Sequence, residues 1–424
     1  DQIKDLVAMV DMKMEELDKP KMSFFEVLTA MAIWKFADAP VDVAIVEVGM
    51  GGRWDATNVL DADAAIIGPI DMDHMAWLGN TVEQIASEKV GIIKPGCTAV
   101  IGRQPHEEAV MPIIEEAARQ NHANLVRDGI EAEVVTRIPA VGGQVATLRT
   151  PNGTYAEVPI AKFGEHQAHN ALAALCAAEV VIPVNGALDG DLVAEALSTV
   201  RIPGRIEQIR TSPTIILDGG HNVNAAESLR AAIEENYDFQ QLVGVIAMMG
   251  DKQVEEYLGV LEPLLSHVVV TENSWRDRVM PAEDLKTVAE RVFGAERVTC
   301  VPELPDAIQE AVNMVDADDE LGVGYGHGVL ICGSFTTAGD ARLMLEEKVN
   351  PDLKKPKSER VFQEAVEPEP RKDQDEADLD FESDANPDFD INDFGSVGPD
   401  LDEDEDADAS EVEHADAASS EDVR

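Results

Sequence analysis

Three side chains in the first quarter of the sequence could do chemistry together: Glu47, His74 and Lys89. Glu47 closes the apolar run of "AIVEVGMGGRWDATNV". A bare carboxylate among apolar neighbours is costly unless a cation or several donors accompany it. His74 follows the next apolar run, in "DMDHMAW". A carboxylate and an imidazole at two adjacent strand ends would face one cleft, a pairing suited to a divalent ion that also touches a phosphate. Lys89, in "NTVEQIASEKVG", falls on the helical stripe of Val82, Ile85, Ala86 and Val90, and so on the buried side. Two readings of it stay open. In the ordinary one the ammonium snorkels to water past the stripe; in the functional one burial lowers its pKa and leaves a neutral amine able to react. "GMGG" has neither the GxGxxG nor the GxxxxGK[ST] spacing of a phosphate-binding turn, so its glycines read as a tight turn close to a ligand or to another backbone.

A second set of polar side chains gathers just past the ends of apolar runs in the second half: Asp218 and His221, Asp251 and Lys252, Thr271, and Ser334. Open parallel sheets bind ligands at that edge. Loops are polar in any case, and Asn222 could simply cap the helix that follows. Position alone leaves both readings standing.

These residues need elements to hold them, and the pattern is α/β. A helical segment, "SFFEVLTAMAIWKFADAP", leads into the strand "DVAIVEVG", and "AAIIGPI" leads to "DMDH". Residues 132 to 160 change style, with an Asn-Gly turn at Asn152 and Gly153 between strand-like runs, which predicts an antiparallel hairpin. "HQAHNALAALCAAEVV" reads as a helix, and "TIILD", "LVGVIAMM", "HVVVT" and "GVLICGS" as strands with helices between several of them. The change of pattern near Ile202 to Arg210 marks a domain boundary, giving domains 1–203 and 204–349 and a tail from 350 to 424. The 424 residues are 45% hydrophobic, enough for two ordinary domains.

Charge narrows the partners. The net charge is −50, and from Pro351 onward 27 acidic residues face 7 basic ones. Such a tail has too little apolar surface to offset the entropy of ordering and is expected to be disordered, most simply as a solvating segment. The same charge repels phosphate backbones and argues against nucleic acid as a partner. No apolar run is long enough to span a membrane, and the first residues lack the basic-then-apolar order of a signal peptide, so a cytoplasmic protein is expected. Cys97, Cys176, Cys300 and Cys332 form no CxxC pair and read as buried free thiols.

Seven blocks, taken in order, resemble the folylpolyglutamate synthases and dihydrofolate synthases of the Mur ligase superfamily. They are "EVGMGGRWDATNV", "DMDHMAWLGNTVEQIASEKVGIIKPG", "GEHQAHNALAAL", "IPGRIEQI", "ILDGGHNVNAA", "GDKQVEEYL" and "ICGSFTTAGDAR", and with flanking matches they span roughly residues 23 to 346. The resemblance implies a Mur-ligase-like ATP-binding domain, then a smaller Rossmann-like α/β domain, then the acidic tail. It implies an ATP-dependent ligase that activates a folate or dihydropteroate carboxylate as an acyl phosphate, which the amine of L-glutamate attacks, and it is expected to act as a monomer. By the same resemblance Glu47 and His74 bind Mg2+, a carbamylated Lys89 holds a second Mg2+, Asn170 meets the nucleotide, and Arg205, Asp218 and His221 close onto ATP. Ser334, with His221, is the weaker match for holding the incoming glutamate.

Several positions depart from the family. Members carry a phosphate loop resembling GTNGKGS, and no GKS or GKT occurs here, so the ATP-binding domain is expected to be amino-terminally incomplete and the isolated chain inactive. Gly219 stands where alanine is usual, Ile202 where tryptophan is common, and Gln253 where an acid is frequent. The rival expectations are another Mur-type amino-acid ligase, or a non-catalytic relative acting as a binding protein with the acidic tail as its partner surface.

Overall fold

In a computed structural model, residues 2–39, 41–182, 186–317 and 326–349 are described. Helices α1 (Gln2–Glu16) and α2 (Phe24–Asp38) come first, followed by β1 (Ala64–Ile67), α3 (Met75–Leu78), α4 (Val82–Lys89), β2 (Thr98–Ile101), α5 (Glu107–Gln120) and β3 (Asn124–Arg127). Ser23 starts α2 with a reciprocal cap: its hydroxyl accepts from the Glu26 N–H at 3.2 Å, and its own N–H donates to the Glu26 carboxylate at 2.6 Å. The three strands form a parallel sheet in the order β1-β2-β3. Parallel neighbours need crossovers, and α3 with α4, then α5, supply them. Ile67, Ile85, Ala99, Ile101 and Ile114 fill the space between sheet and helices.

Strands β4 (Glu133–Ala140), β5 (Gly143–Arg149) and β6 (Thr154–Ile160) form an antiparallel sheet, as the Asn-Gly turn leads one to expect. The turn is closed by the Thr150 N–H donating to the Gly153 carbonyl at 2.8 Å. Helix α6 (Glu165–Val181) covers this sheet, and Ala168, Leu172 and Leu175 share one cluster with Ala146, Leu148 and Val100. Glu179 is buried, and its carboxylate is satisfied by Tyr155, Thr150 and Asn152 at 2.7, 2.8 and 3.0 Å. Helix α7 (Gly190–Thr199) leads to the connector.

Beyond it lie β7 (Glu207–Thr211), β8 (Thr214–Leu217), α8 (Val223–Asn236), β9 (Gln241–Ile246), α9 (Val254–Leu261), β10 (His267–Glu272), α10 (Ala282–Phe293), β11 (Val298–Glu303), α11 (Leu304–Ala317), β12 (His327–Cys332) and α12 (Phe335–Val349). They build a six-stranded sheet in the order β11-β10-β9-β12-β8-β7, parallel except for β7 at the edge. Helices bury both faces, which is why β8 and β12 read as unbroken apolar runs rather than alternating ones. β7 and β11, in "EQIRT" and "VTCVPE", are additions to the strands read from sequence. Both sit at sheet edges, where one-sided burial leaves a weaker apolar signal.

"DVAIVEVG" is corrected. Residues 41–48 are not a strand, and among the described residues no strand lies beside them; Ile45 is 92% exposed. An apolar run becomes a strand only where a partner takes its N–H and C=O groups, and periodicity does not report that partner. Phe24, Phe25, Trp34, Val43 and Ile45 are exposed in this region. The thiol expectation holds for Cys97, Cys176 and Cys332, whereas Cys300 is partly exposed. Among the described residues no helix is long and apolar enough to cross a membrane. The expected disorder of 350–424 falls outside the described residues.

Of the two readings of "GMGG", the backbone one is met. A Cβ on Gly52 would lie 2.6 Å from the Glu88 carbonyl oxygen and 2.9 Å from that of Lys89, and the Arg53 N–H donates to Glu88 at 2.9 Å. Gly91 returns the contact, with Arg53 Cα 2.6 Å from its would-be Cβ. The glycine turn is thus pressed onto the end of α4 that carries Lys89. Backbone carbonyls cannot move aside as a side chain does, so Gly52→Ala is expected to cost about 1–3 kcal/mol. A thermal midpoint equal to that of the parent would show that the turn has room to spare.

Candidate functional site

The most connected polar side chain between the first sheet and the six-stranded one is Asp73, which the sequence reading passed over in favour of its neighbour. It follows β1 and accepts from Lys252 Nζ at 2.8 Å, from the Asn222 amide at 3.2 Å and from the His74 N–H at 2.8 Å. His221 Nε2 lies 3.6 Å from it and His74 Nε2 4.0 Å. Burial pulls the Asp73 carboxyl upward, yet the nearby His221 ring, the hydrogen bond from Lys252 and the Lys252 charge outweigh it and hold the group far below the usual carboxylate range. Lys252 and Asn222 both stand past carboxyl ends of parallel strands, β9 and β8. Asn222 serves twice, because its carbonyl also caps α8 through the Ala225 N–H at 2.9 Å.

Lys89 ends α4 half-buried, and among the described residues its ammonium has no hydrogen-bond or ion-pair partner. Desolvation lowers its pKa, with the Asp73 charge pulling the other way. His74 sits in left-handed backbone at φ 52° and heads α3. Desolvation is the main cause that lowers its pKa; Asp73 opposes it, while Lys252, His221 and Lys89 add to it. His74, Lys89, His221 and Lys252 therefore share one electrostatic neighbourhood centred on Asp73. Glu47 is exposed rather than buried, and no protein donor meets its carboxylate among the described residues. The burial cost argued for it does not arise, because residues 41–48 are not packed into a sheet. No group of three His, Cys, Asp or Glu side chains in metal-holding geometry occurs among the described residues.

A second cluster forms around Arg205. Asp218 is buried, and its carboxylate accepts from the Ile206 N–H at 3.0 Å and the Gly220 N–H at 2.8 Å. Desolvation raises its pKa against those two bonds and the Arg205 charge. The Gly219 N–H donates to the Gly204 carbonyl at 2.7 Å, so the connector is pinned on both sides of Arg205. Arg205 lies over the Phe335 ring at 4.3 Å, and His221 meets the same ring edge-on at 6.0 Å. Arg205 also faces α6: burial first, then the Arg205 charge, pushes His166 down to about 4. One helical turn on from His166, Asn170 is exposed, and its amide contacts only Gln167, at 3.4 Å.

Other sequence candidates make hydrogen bonds or ion pairs within the protein. The Ser334 hydroxyl is buried and held by Asn273 at 3.2 Å, Thr337 Oγ1 at 2.7 Å and the Thr337 N–H at 3.1 Å, the last of which opens α12. Thr271 is buried and donates to the Pro302 carbonyl at 3.1 Å. Asp251 points away to Arg278, 3.1 Å distant.

A testable consequence concerns the ion pair. The side chains of Lys252 and Asp73 are 11% and 26% exposed, between the limits of a surface and a buried pair, so a double-mutant cycle of Asp73→Asn and Lys252→Met is expected to give a coupling of about 1–3 kcal/mol in urea unfolding. Because the folded carboxyl is depressed below 3.8, its contribution is complete above that pH and lost as pH falls through the depressed value. Zero coupling at neutral pH would show that Asp73 does not tie these elements together.

Comparison with known proteins finds a family match in each half of the chain. The Mur ligase middle domain family matches residues 4–178, and the Mur ligase glutamate ligase domain family matches residues 204–335. A dihydrofolate synthase/folylpolyglutamate synthase of Mycobacterium tuberculosis is 43% identical over 359 residues, 81% of this chain and 73% of that protein. A solved structure of Mycobacterium tuberculosis folylpolyglutamate synthase complexed with ADP matches with a TM-score of 0.76 at 43% identity, covering 81% of this chain and 76% of that one. Escherichia coli FolC in complex with DHPP and ADP matches at 0.65 and 27% identity, covering 77% and 72%. With a relative of that identity matched along nearly three-quarters of its length, the chain belongs to the dihydrofolate synthase/folylpolyglutamate synthase family of Mur ligases.

Proposed function

We propose that this protein joins L-glutamate to the carboxylate of a folate or dihydropteroate, using ATP, and acts in the cytoplasm as a monomer. The observation that carries the reading is the 43% identity through both lobes to a relative whose solved structure holds ADP. The reaction has two steps. A carboxylate oxygen of the acceptor attacks the γ-phosphorus, ADP leaves, and an acyl phosphate forms. The glutamate amine then adds to the acyl carbon, loses a proton, and expels phosphate as the amide closes. Little covalent chemistry is asked of the protein; its task is to position the partners and stabilise charge.

The residues divide that task by lobe, and we take the boundary between 203 and 204 as the division. Arg205 on the connector offers an unpaired guanidinium to the phosphates, and Asn170 on α6 an exposed amide to the nucleotide. Asp218 holds the connector that carries Arg205. His221, 3.6 Å from Asp73 and edge-on to Phe335, would lie near the phosphates. Glu47, His74 and Lys89 are the residues that would hold Mg2+. Their fit rests on a carboxylate with no protein donor, an imidazole that desolvation keeps neutral, and an unpaired lysine whose lowered pKa favours the amine that takes up carbon dioxide to become a carbamate. When bound, Mg2+ would offset the charge of the triphosphate and of the transferring phosphoryl group.

The test is glutamate-dependent phosphate release from Mg-ATP, with dihydropteroate or a reduced folate as acceptor. It is run on this chain and on a longer form carrying a GTNGKGS-type loop ahead of it. Turnover is expected in the longer form, and Lys89→Ala there is expected to reduce it by about 100-fold or more. Folded protein with no turnover in either form would overturn the ligase reading in favour of a binding protein. Near-normal turnover of Lys89→Ala would remove that lysine from the mechanism.

A further inference from the structure

Arg205 has a long side chain, and its environment raises the question of what holds it. Among the described residues its guanidinium makes no hydrogen bond and no ion pair, although the chain has 83 acidic residues to offer. What it does have is the Phe335 ring, 4.3 Å away. Phe335 opens α12 just beyond β12 and is 49% exposed. The backbone on either side of Arg205 is fixed by the Gly204–Gly219 and Ile206–Asp218 hydrogen bonds, so the remaining freedom is in the side chain itself.

Gly219 supplies the independent observation. A Cβ at that position would lie 2.5 Å from Phe335 Cδ1, 2.8 Å from Cε1 and 3.1 Å from Cγ. No alanine fits there with the ring where it is. The glycine that stands where the family usually has alanine is therefore the space that the ring occupies.

We propose that Phe335 is a positioning residue that holds the Arg205 guanidinium over its ring, with the N–H groups left for a nucleotide phosphate, and that Gly219 is what admits the ring. The inference rests on the reading of this site as a nucleotide site. A guanidinium stacked on an aromatic face keeps its in-plane donors free, whereas one paired with a carboxylate has spent them. Holding the group before the ligand arrives removes an ordering cost from binding. His221 meets the same ring edge-on at 6.0 Å.

The experiment uses the longer form carrying a GTNGKGS-type loop as the parent chain and compares it with Phe335→Leu, Phe335→Tyr, Gly219→Ala and the Gly219→Ala/Phe335→Leu pair. Binding of Mg-ADP is measured by calorimetry, and the Arg205 Nε–H resonance, assigned with Arg205→Lys, is followed in nucleotide-free protein, where the ring current of Phe335 shifts it. Phe335→Leu is expected to weaken Mg-ADP binding about 5- to 10-fold and to abolish the ring-current shift, with the thermal midpoint little changed. Phe335→Tyr is expected to keep both. Gly219→Ala is expected to reproduce both losses, and to add little once residue 335 is leucine. An unchanged resonance and unchanged affinity in Phe335→Leu would overturn the proposal. If the parent chain binds no Mg-ADP, the nucleotide reading fails on its own, and the resonance still decides whether Phe335 holds Arg205.

Discussion

The arrangement of this site depends on a single carboxylate. Asp73 stands after β1 of the first sheet and is held by Lys252 and Asn222, both at the carboxyl edge of the six-stranded sheet. Groups that arrive from β8, β9 and the β1–α3 segment are thereby brought to one point. Each parallel sheet on its own would present a polar edge and nothing more. Joined through Asp73, the edges form one site. Asn222 shows how little sequence the join takes, since the same amide caps a helix with its carbonyl and reaches across with its nitrogen.

The wider electrostatics make that join necessary. With 83 acidic and 33 basic residues, the molecule as a whole repels a triphosphate. Binding one requires cations gathered locally and kept from being neutralised by the surrounding carboxylates. Arg205 is a cation of that kind: it stacks on Phe335, and among the described residues no carboxylate pairs with it. Lys252 is spent on Asp73, and it works by holding a geometry rather than by offering charge.

The legible and illegible parts of the sequence divide along physical lines. The hairpin around Asn152, the helix carrying Asn170 and the apolar runs of β8, β9, β10 and β12 were readable, because turn chemistry and burial on both faces leave local patterns. Residues 41–48 misled because their apolar run is as strong as that of a strand, while pairing is a property of the neighbour. Ser334 and Thr271 were ambiguous because a hydroxyl at a strand end looks the same in sequence whether it faces a ligand, opens a helix or bonds a neighbouring strand. Asp73 was hidden by His74: in "DMDH" the more versatile side chain draws the reading, and only the fold shows that its neighbour carries the contacts. Gly219 was visible as a departure, but its reason, a phenyl ring more than 100 residues later in the chain, was not.

The state of Lys89 follows from the same carboxylate. An acid next to a half-buried lysine normally keeps it charged, and Asp73 acts in that direction. Its effect is limited because Lys252 Nζ, 2.8 Å from the carboxylate, already balances its charge, and His221 draws on it as well. Desolvation is then the stronger influence on Lys89 and lowers its pKa. The pairing of Lys252 with Asp73 thus holds the two sheet edges together and occupies the acid whose charge acts on the lysine of α4. One distribution of charge sets both the join between the sheets and the environment of Lys89.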